Sequence, residues 1–175
     1  MRGETIENLI DNFGKDIYKF CIYLTNNTIY AEELYQQTFL KLLEINKEIN
    51  FSDNPKSYLF NICNNLYKNN KRKFGRHSRI APECSLEEGK NERLIASDNT
   101  EESVYKELLK KEVNNVIKAL PLKLKQVIIL HYAFDYKIED ISTILKIPKG
   151  TVKSRLFKGR EKIKILLEEK GYEEL

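Results

Sequence analysis

The sequence predicts an all-α protein of two small helical domains joined by a flexible linker, with a helix-turn-helix in the C-terminal domain. Apolar residues recur at spacings of three and four in both halves of the 175-residue chain, as on one face of a helix. That periodicity fails after about residue 74 and returns near residue 103. No alternating pattern is long enough to indicate a strand. We therefore predict domains at residues 1–74 and 103–175, with a linker at residues 75–102.

Two helices are predicted at the start of the first domain. The first follows the apolar stripe of residues 6–24, and Asn26 and Asn27 interrupt it. The second follows the stripe of residues 31–45. Thr28 is its predicted N-cap, because a threonine hydroxyl can accept a hydrogen bond from a backbone N–H of the first helical turn.

A third helix is predicted to begin at Pro55, because proline suits the first turn of a helix, and to run out after Lys68. Its cap candidates are Ser52, Asp53 and Asn54. Aromatic residues alternate here with lysines and arginines, a mixture that suits opened DNA, where bases stack on rings and cations follow phosphates. The alternative is that the rings only fill a core, and for Phe60 both interpretations remain open.

The second domain is predicted to contain four helices. Their expected positions are residues 103–120, 121–132, 138–145 and 151–168. The last two form the helix-turn-helix, because Pro148 stops the chain from continuing as one helix, Gly150 frees the backbone and Thr151 can cap the second helix.

The second helix of this motif separates two sets of side chains. Val152, Leu156 and Ile163 are predicted to dock inward. The residues left outward-facing or at the flanks are Lys153, Ser154, Phe157, Lys158 and Arg160. Such residues in the N-terminal half of a second helix are typical of a recognition helix that enters the major groove of DNA. The alternative, a solvated basic helix, does not explain the capped turn and the apolar spacing.

Charge is segregated along the chain. Residues 54–82 hold seven basic residues and no acid, and residues 146–164 hold eight bases and one acid. Between them, residues 83–107 hold eight acids against three bases. This pattern indicates two contacts with a polyanion and a tether that avoids both.

Several classes of function are excluded by the composition. No run approaches the roughly 18 consecutive apolar residues of a membrane span, and residues 1–18 do not resemble a signal peptide, so we expect a cytoplasmic protein. The three cysteines, Cys21, Cys63 and Cys84, are widely spaced and do not indicate a disulfide framework or a metal site. We find no pattern typical of an enzyme, a cofactor site or a small-molecule substrate.

The chain resembles a bacterial sigma factor of the extracytoplasmic-function (ECF) type. The segment AEELYQQTFLKLLE resembles the family's helix that binds core RNA polymerase, and NPKSYLFNICNNLYKNNKRK resembles its promoter-melting helix. The second-domain segment that contains GTVKSRL resembles its domain for the −35 promoter element. Each motif is moderately specific, but their order and spacing together are highly specific.

The resemblance implies roles for residues in three sets. Contacts with core polymerase are implied for Glu32, Glu33, Gln36, Gln37 and Lys41. Contacts with the opened −10 element are implied for Tyr58, Asn61, Asn64, Asn65 and Lys68, with residues 50–54 forming a base-capturing loop. Contacts with the −35 element are implied for Lys153, Ser154, Phe157 and Lys158, whereas Arg155 and Arg160 fall where phosphate contact or packing within the domain is expected.

The resemblance also implies partners: core RNA polymerase, promoter DNA and an anti-sigma factor. In the family the linker runs toward the RNA path of the polymerase. There the acids of this linker, Glu83, Glu87, Glu88 and Glu92, would mimic an RNA backbone.

The sequence departs from the family pattern at several positions. Asn64 and Asn69 replace an arginine and an aspartate that are usual in the −10 helix, and Tyr58 replaces a common tryptophan. Asp135 and Lys146 stand where glycine is frequent before and within the helix-turn-helix. Aspartate tolerates the left-handed backbone region, and at Lys146 we expect a cost of about 1 kcal/mol.

Two other functions are considered. A stand-alone helix-turn-helix regulator would bind its operator tightly without polymerase, but the first half lacks the strand–helix alternation of a receiver domain. A pure polymerase-binding adaptor would not need a groove-reading surface, and the basic second helix argues against it.

Overall fold

The computed structural model describes residues 6–45, 54–77 and 101–172. They form two compact helical units, and within these residues no strand occurs. The all-α fold class is therefore confirmed. The cap candidates Ser52 and Asp53, Cys84, the acids of the linker and most of the predicted base-capturing loop lie outside the described residues.

The first unit is built from α1 (Ile6–Thr25), α2 (Thr28–Ile45) and α3 (Pro55–His77). All three helices contact one another. α1 and α2 approach closely at Gly14, where an added Cβ would lie 2.8 Å from the hydroxyl oxygen of Tyr35. Between α1 and α3, Phe20 and Phe60 meet edge to face with ring centroids 4.8 Å apart. Phe60 is fully buried, so the core interpretation of this ring is the correct one.

An asparagine precedes and caps each of the helices α2 and α3. Oδ1 of Asn27 accepts a hydrogen bond from the backbone N–H of Tyr30 at 3.1 Å, and Oδ1 of Asn54 accepts one from Ser57 at 3.0 Å. The prediction that Thr28 caps α2 is therefore wrong, because the helix already includes Thr28 and the residue before it caps the first turn. Asn26 makes this early start possible by adopting a left-handed backbone, with φ of 55°.

The third helix begins at Pro55 as predicted but continues to His77, beyond the predicted end near Lys68. The expected end rested on the loss of apolar periodicity in the basic tract. Lysine, arginine and asparagine do not break a helix, however, so the end of an apolar stripe does not mark the end of the helix.

The second unit contains α4 (Glu101–Ala119), α5 (Leu122–Ile128) and α7 (Lys149–Glu168). α7 packs against both α4 and α5. After α5 the chain continues as a π-helical turn, Ile129–Ala133, which ends where Asp135 adopts a φ of 54°. The predicted helix 121–132 is thus present in part as a wider turn, and the prediction that Asp135 tolerates the left-handed region is confirmed.

α6 (Ile138–Leu145) precedes α7 and completes the helix-turn-helix. Oδ2 of Asp140 accepts a hydrogen bond from the backbone N–H of Lys137 at 3.3 Å, a contact that satisfies a donor at the start of the helix. Ile141, Ile144 and Leu145 are buried, and Ile138 is half-buried. The predicted apolar face of α6 therefore exists.

Candidate nucleic-acid interface

The turn of the helix-turn-helix is made at Lys146. Its φ is 53°, the left-handed conformation that the sequence predicted for this position. Pro148 then precedes α7, and its carbonyl oxygen accepts hydrogen bonds from Thr151 at 2.9 Å and Val152 at 3.1 Å.

Two predictions about this turn are wrong. Thr151 does not cap α7, because the helix begins two residues earlier at Lys149 and no side chain caps it. Gly150 is not needed for its backbone freedom, because the left-handed residue of the turn is Lys146. The error at Thr151 arises because proline at the N-cap position fixes φ and starts the helix without a hydroxyl cap.

α7 has one buried side and one exposed side along its N-terminal half. Val152, Leu156 and Gly159 are buried against the rest of the unit. An added Cβ at Gly159 would lie 2.8 Å from Cγ1 of Ile128 on α5, so the Ile128 side chain packs directly against the backbone of α7. This close approach fixes which side of α7 faces outward.

The outward side carries four of the predicted −35 contacts. The exposed residues on this side are Lys153, Ser154, Phe157 and Lys158. Phe157 has 58% of its surface accessible. Arg155 is half-buried at the flank of this set. An exposed aromatic ring between lysines offers both apolar contact for a thymine methyl group and hydrogen-bond donors for guanine.

Charged groups link the two helices of the motif at one end. Nζ of Lys149 lies 3.2 Å from Oε1 of Glu139. The pKa of Glu139 is lowered by a hydrogen bond from its own backbone N–H, then by Lys149 and, more weakly, Lys153. Arg160, at the other side of the helix, points a guanidinium nitrogen to within 3.4 Å of the Tyr132 hydroxyl, so it contacts its own unit.

The predicted −10 residues of α3 fall into two groups. Asn65 is exposed, and Tyr58, Asn61 and Lys68 are half-buried. The side-chain amide of Asn65 donates to Oδ1 of Asn61 at 3.0 Å, so these two polar groups are held together on the helix surface.

Asn64 differs from the other four, because it is fully buried. It lies three residues after Asn61 and four before Lys68, so it shares their side of α3. Of the five predicted −10 residues it is the least accessible.

The predicted polymerase-binding residues lie on α2. Glu32, Glu33, Gln36 and Lys41 are exposed, and Gln37 is half-buried. Nε2 of Gln37 donates to Oε1 of Glu33 at 2.9 Å, while its Oε1 accepts from the side-chain amide of Asn70 on α3 at 2.9 Å.

Two leucines on α2 were not predicted as functional. Leu40 is 58% exposed and Leu43 is 53% exposed. With Glu33 and Gln36 they form one stripe, because the spacing along the helix is three, four and three. Protein interfaces have an apolar centre and a polar rim, so two exposed leucines next to polar groups are a candidate interface.

Two family models match this chain. The model for region 2 of sigma-70 matches residues 9–77, and the model for region 4 matches residues 110–163. The ECF RNA polymerase sigma factor SigW of Bacillus subtilis is 27% identical over 164 residues, which cover 92% of this chain and 88% of SigW. The chain belongs to the ECF sigma factors.

A second relative agrees with this assignment, and two solved structures share the fold. The ECF sigma factor EcfG of Rhodopseudomonas palustris is 28% identical over 89% of this sigma factor and 81% of its own length. Among solved structures, the sigma factor RpoE of Bartonella quintana, in complex with the anti-sigma factor NepR, has a TM-score of 0.72 at 24% identity. That match covers 93% of this chain and 96% of the other. CnrH, solved with the cytosolic domain of CnrY, has a TM-score of 0.64 at 15% identity, over 93% and 87% of the two chains.

The residues that the structure describes contain no helix long and apolar enough to cross a membrane. Within the same ranges, no group of three histidine, cysteine, aspartate or glutamate residues is arranged to hold a metal ion.

Proposed function

We propose that this ECF sigma factor directs core RNA polymerase to its promoters by a positional, non-catalytic mechanism in the cytoplasm. In this mechanism α2 docks on core enzyme, α7 binds the duplex −35 element, and α3 binds unpaired bases of the opened −10 element. The observation that carries the proposal is the division of α7, whose buried Val152, Leu156 and Gly159 turn a basic and aromatic side outward.

The −35 contact is assigned to Lys153, Ser154, Phe157 and Lys158, with Arg155 at the flank. Lysine can donate to O6 and N7 of guanine, and an exposed ring can contact a thymine methyl group in the major groove. A single favourable base contact of this kind is worth roughly 1–3 kcal/mol of discrimination between base pairs. The set of four is therefore large enough to give a promoter preference.

The −10 contact is assigned to Tyr58, Asn61, Asn65 and Lys68. The ring of Tyr58 offers a stacking surface, and base stacking on aromatic side chains is worth about 1–3 kcal/mol per base. The paired amides of Asn61 and Asn65 offer donors and acceptors for base edges. Asn64 is not assigned a base contact, because its side chain is fully buried.

The polymerase contact is assigned to the stripe of α2 that ends in Leu40 and Leu43, together with Glu32, Gln37 and Lys41. Burial of the two leucines would supply the apolar centre of the interface. The neighbouring charged and amide groups would supply its polar rim and set the orientation of docking.

An anti-sigma factor is proposed as a further partner. Support comes from RpoE, which was solved with the anti-sigma factor NepR. Such a partner would act by covering the polymerase-binding or DNA-binding surfaces, so free sigma factor would be withheld from core enzyme.

The experiment that tests this function compares selection of genomic fragments by the protein alone with selection by the protein bound to core RNA polymerase. We expect discrete promoter fragments to be enriched only in the presence of core enzyme. Tight and specific enrichment by the protein alone, unchanged by core enzyme, would instead establish a stand-alone helix-turn-helix regulator. Lys153→Glu should remove the enrichment, whereas Lys164→Glu, about 16 Å further along the helix, should preserve it.

A further inference from the structure

Two cysteines that are distant in sequence meet inside the first unit. Sγ of Cys21 on α1 lies 3.4 Å from Sγ of Cys63 on α3, close enough for a thiol–thiol hydrogen bond. Both residues are fully buried, and neither is bonded to another sulfur. The proposed polymerase and DNA surfaces use neither of them.

The surroundings of the pair are apolar and well packed. Phe20, next to Cys21, contacts the ring of Phe60, one turn before Cys63, and Leu24 and Leu59 are also buried. Because these contacts hold α1 and α3 together, the two sulfur atoms stay opposite each other. A disulfide needs sulfur atoms about 2 Å apart, so bond formation requires a further approach of a little more than 1 Å.

We propose that Cys21 and Cys63 are a modification site that a hydroperoxide oxidises to an intramolecular disulfide. One sulfur attacks a peroxide oxygen, which gives a sulfenic acid and releases water or an alcohol. The second sulfur then attacks the sulfenic sulfur and releases water. The two thiols lose two protons and two electrons, and the hydroperoxide takes up both as it is reduced to water, or to an alcohol and water.

The consequence of the bridge follows from its position in the chain. It joins α1 to α3 and closes a loop that contains all of α2. A cross-link that closes a long loop restricts the unfolded chain, so the oxidised unit should resist unfolding more than the reduced unit. This inference is independent of the proposed function.

The reaction should be slow at neutral pH and faster as pH rises. The hydrogen bond to Cys63 and then burial raise the pKa of the Cys21 thiol, which keeps this sulfur protonated. The thiolate is the reactive form, so its supply limits the first step.

The test is peptide mapping of the full-length reduced protein after treatment with hydrogen peroxide under native conditions. After remaining thiols are alkylated, trypsin places Cys21 in the peptide of residues 20–41, Cys63 in residues 57–68 and Cys84 in residues 80–90. We expect the first two peptides to appear joined, with a mass two hydrogen atoms below their sum, and to separate on reduction. The thermal midpoint of the oxidised protein should rise by several degrees.

Variants define the outcome. Cys84→Ala should still form the bridge, and Cys21→Ala should leave the peptide of residues 57–68 alkylated and unjoined. The proposal is overturned if both peptides remain alkylated in native protein and in Cys84→Ala while urea-unfolded protein forms the bridge. It is equally overturned if Cys84 supplies every disulfide that forms.

Discussion

Gly159 of α7 lies directly against Ile128 of α5, so close that a Cβ at position 159 would be 2.8 Å from Cγ1 and 2.9 Å from Cδ1 of the isoleucine. Ile128 is itself buried, so its side chain has little room to move aside. This contact sets the distance between the recognition helix and the rest of the unit.

The contact predicts opposite effects for two glycine substitutions in one helix. Gly159→Ala should lower the free energy of unfolding by about 1–3 kcal/mol, because an added methyl group overpacks the contact with Ile128. Gly150→Ala should raise it by up to about 1 kcal/mol, because nothing lies within 4 Å of its Cβ and alanine favours the helix. Urea denaturation of the two variants checks this, and a stabilised Gly159→Ala would contradict the packing.

A second prediction concerns the turn at Lys146. Lys146→Gly should stabilise the protein by about 1 kcal/mol, because glycine adopts a φ of 53° without the steric cost that a side chain imposes. The matched control is Lys162→Gly, an exposed position inside α7, which should destabilise by about 1 kcal/mol. If thermal denaturation shows both glycines to be destabilising, the left-handed turn is not formed at Lys146.

Much of this turn is readable from the sequence. The family often has glycine at the positions of Asp135 and Lys146. Comparison with the family's motifs therefore predicts a left-handed backbone at both positions. The start of α7 is not predictable in this way. Thr151 is a good N-cap by residue type, and only the backbone conformation shows that Pro148 already occupies the N-cap position. Residue type identifies a cap candidate, but neighbouring candidates compete and backbone geometry selects one.

The third prediction tests the exposed ring of the proposed −35 surface. Phe157→Ala should weaken binding of the polymerase holoenzyme to its promoter by about tenfold, because an apolar base contact is lost. Its control, Ile165→Ala, removes another half-exposed apolar side chain two turns further along α7 and should leave binding unchanged. Equal losses for the two variants, measured by fluorescence anisotropy on promoter duplex, would remove Phe157 from the interface.

The fourth prediction concerns the apolar end of the α2 stripe. Leu43→Glu should reduce affinity for core RNA polymerase by tenfold or more, because it places a charge at the proposed apolar centre of the interface. Ile29→Glu, at the first turn of the same helix and about 21 Å away, should bind core enzyme normally. Both side chains are largely exposed, so circular dichroism should show both variants folded. If Ile29→Glu competes for core enzyme no better than Leu43→Glu does, the assignment of Leu43 to the interface is wrong.

Leu40 and Leu43 show what the sequence left unread. Helical periodicity assigns apolar residues to the core, and on α2 the core stripe is formed by Ala31, Leu34, Thr38 and Leu42. The two extra leucines lie off that stripe, but their exposure depends on where α1 and α3 pack. The same limit applied to Asn64, which is polar yet buried, and to Cys21 and Cys63, which 41 intervening residues separate in sequence and only the fold brings together. Periodicity predicts which side of a helix is apolar, and tertiary packing decides which side is covered.

Run-off transcription with bacterial core RNA polymerase on a genomic fragment library tests whether this protein directs initiation at specific promoters. We expect wild-type protein and Lys164→Glu to produce the same discrete start sites, and Lys153→Glu to lose them while remaining folded. Absence of new start sites with wild-type protein and active core enzyme would show that the protein does not direct initiation. Start sites that survive Lys153→Glu unchanged would show that α7 does not read the promoter.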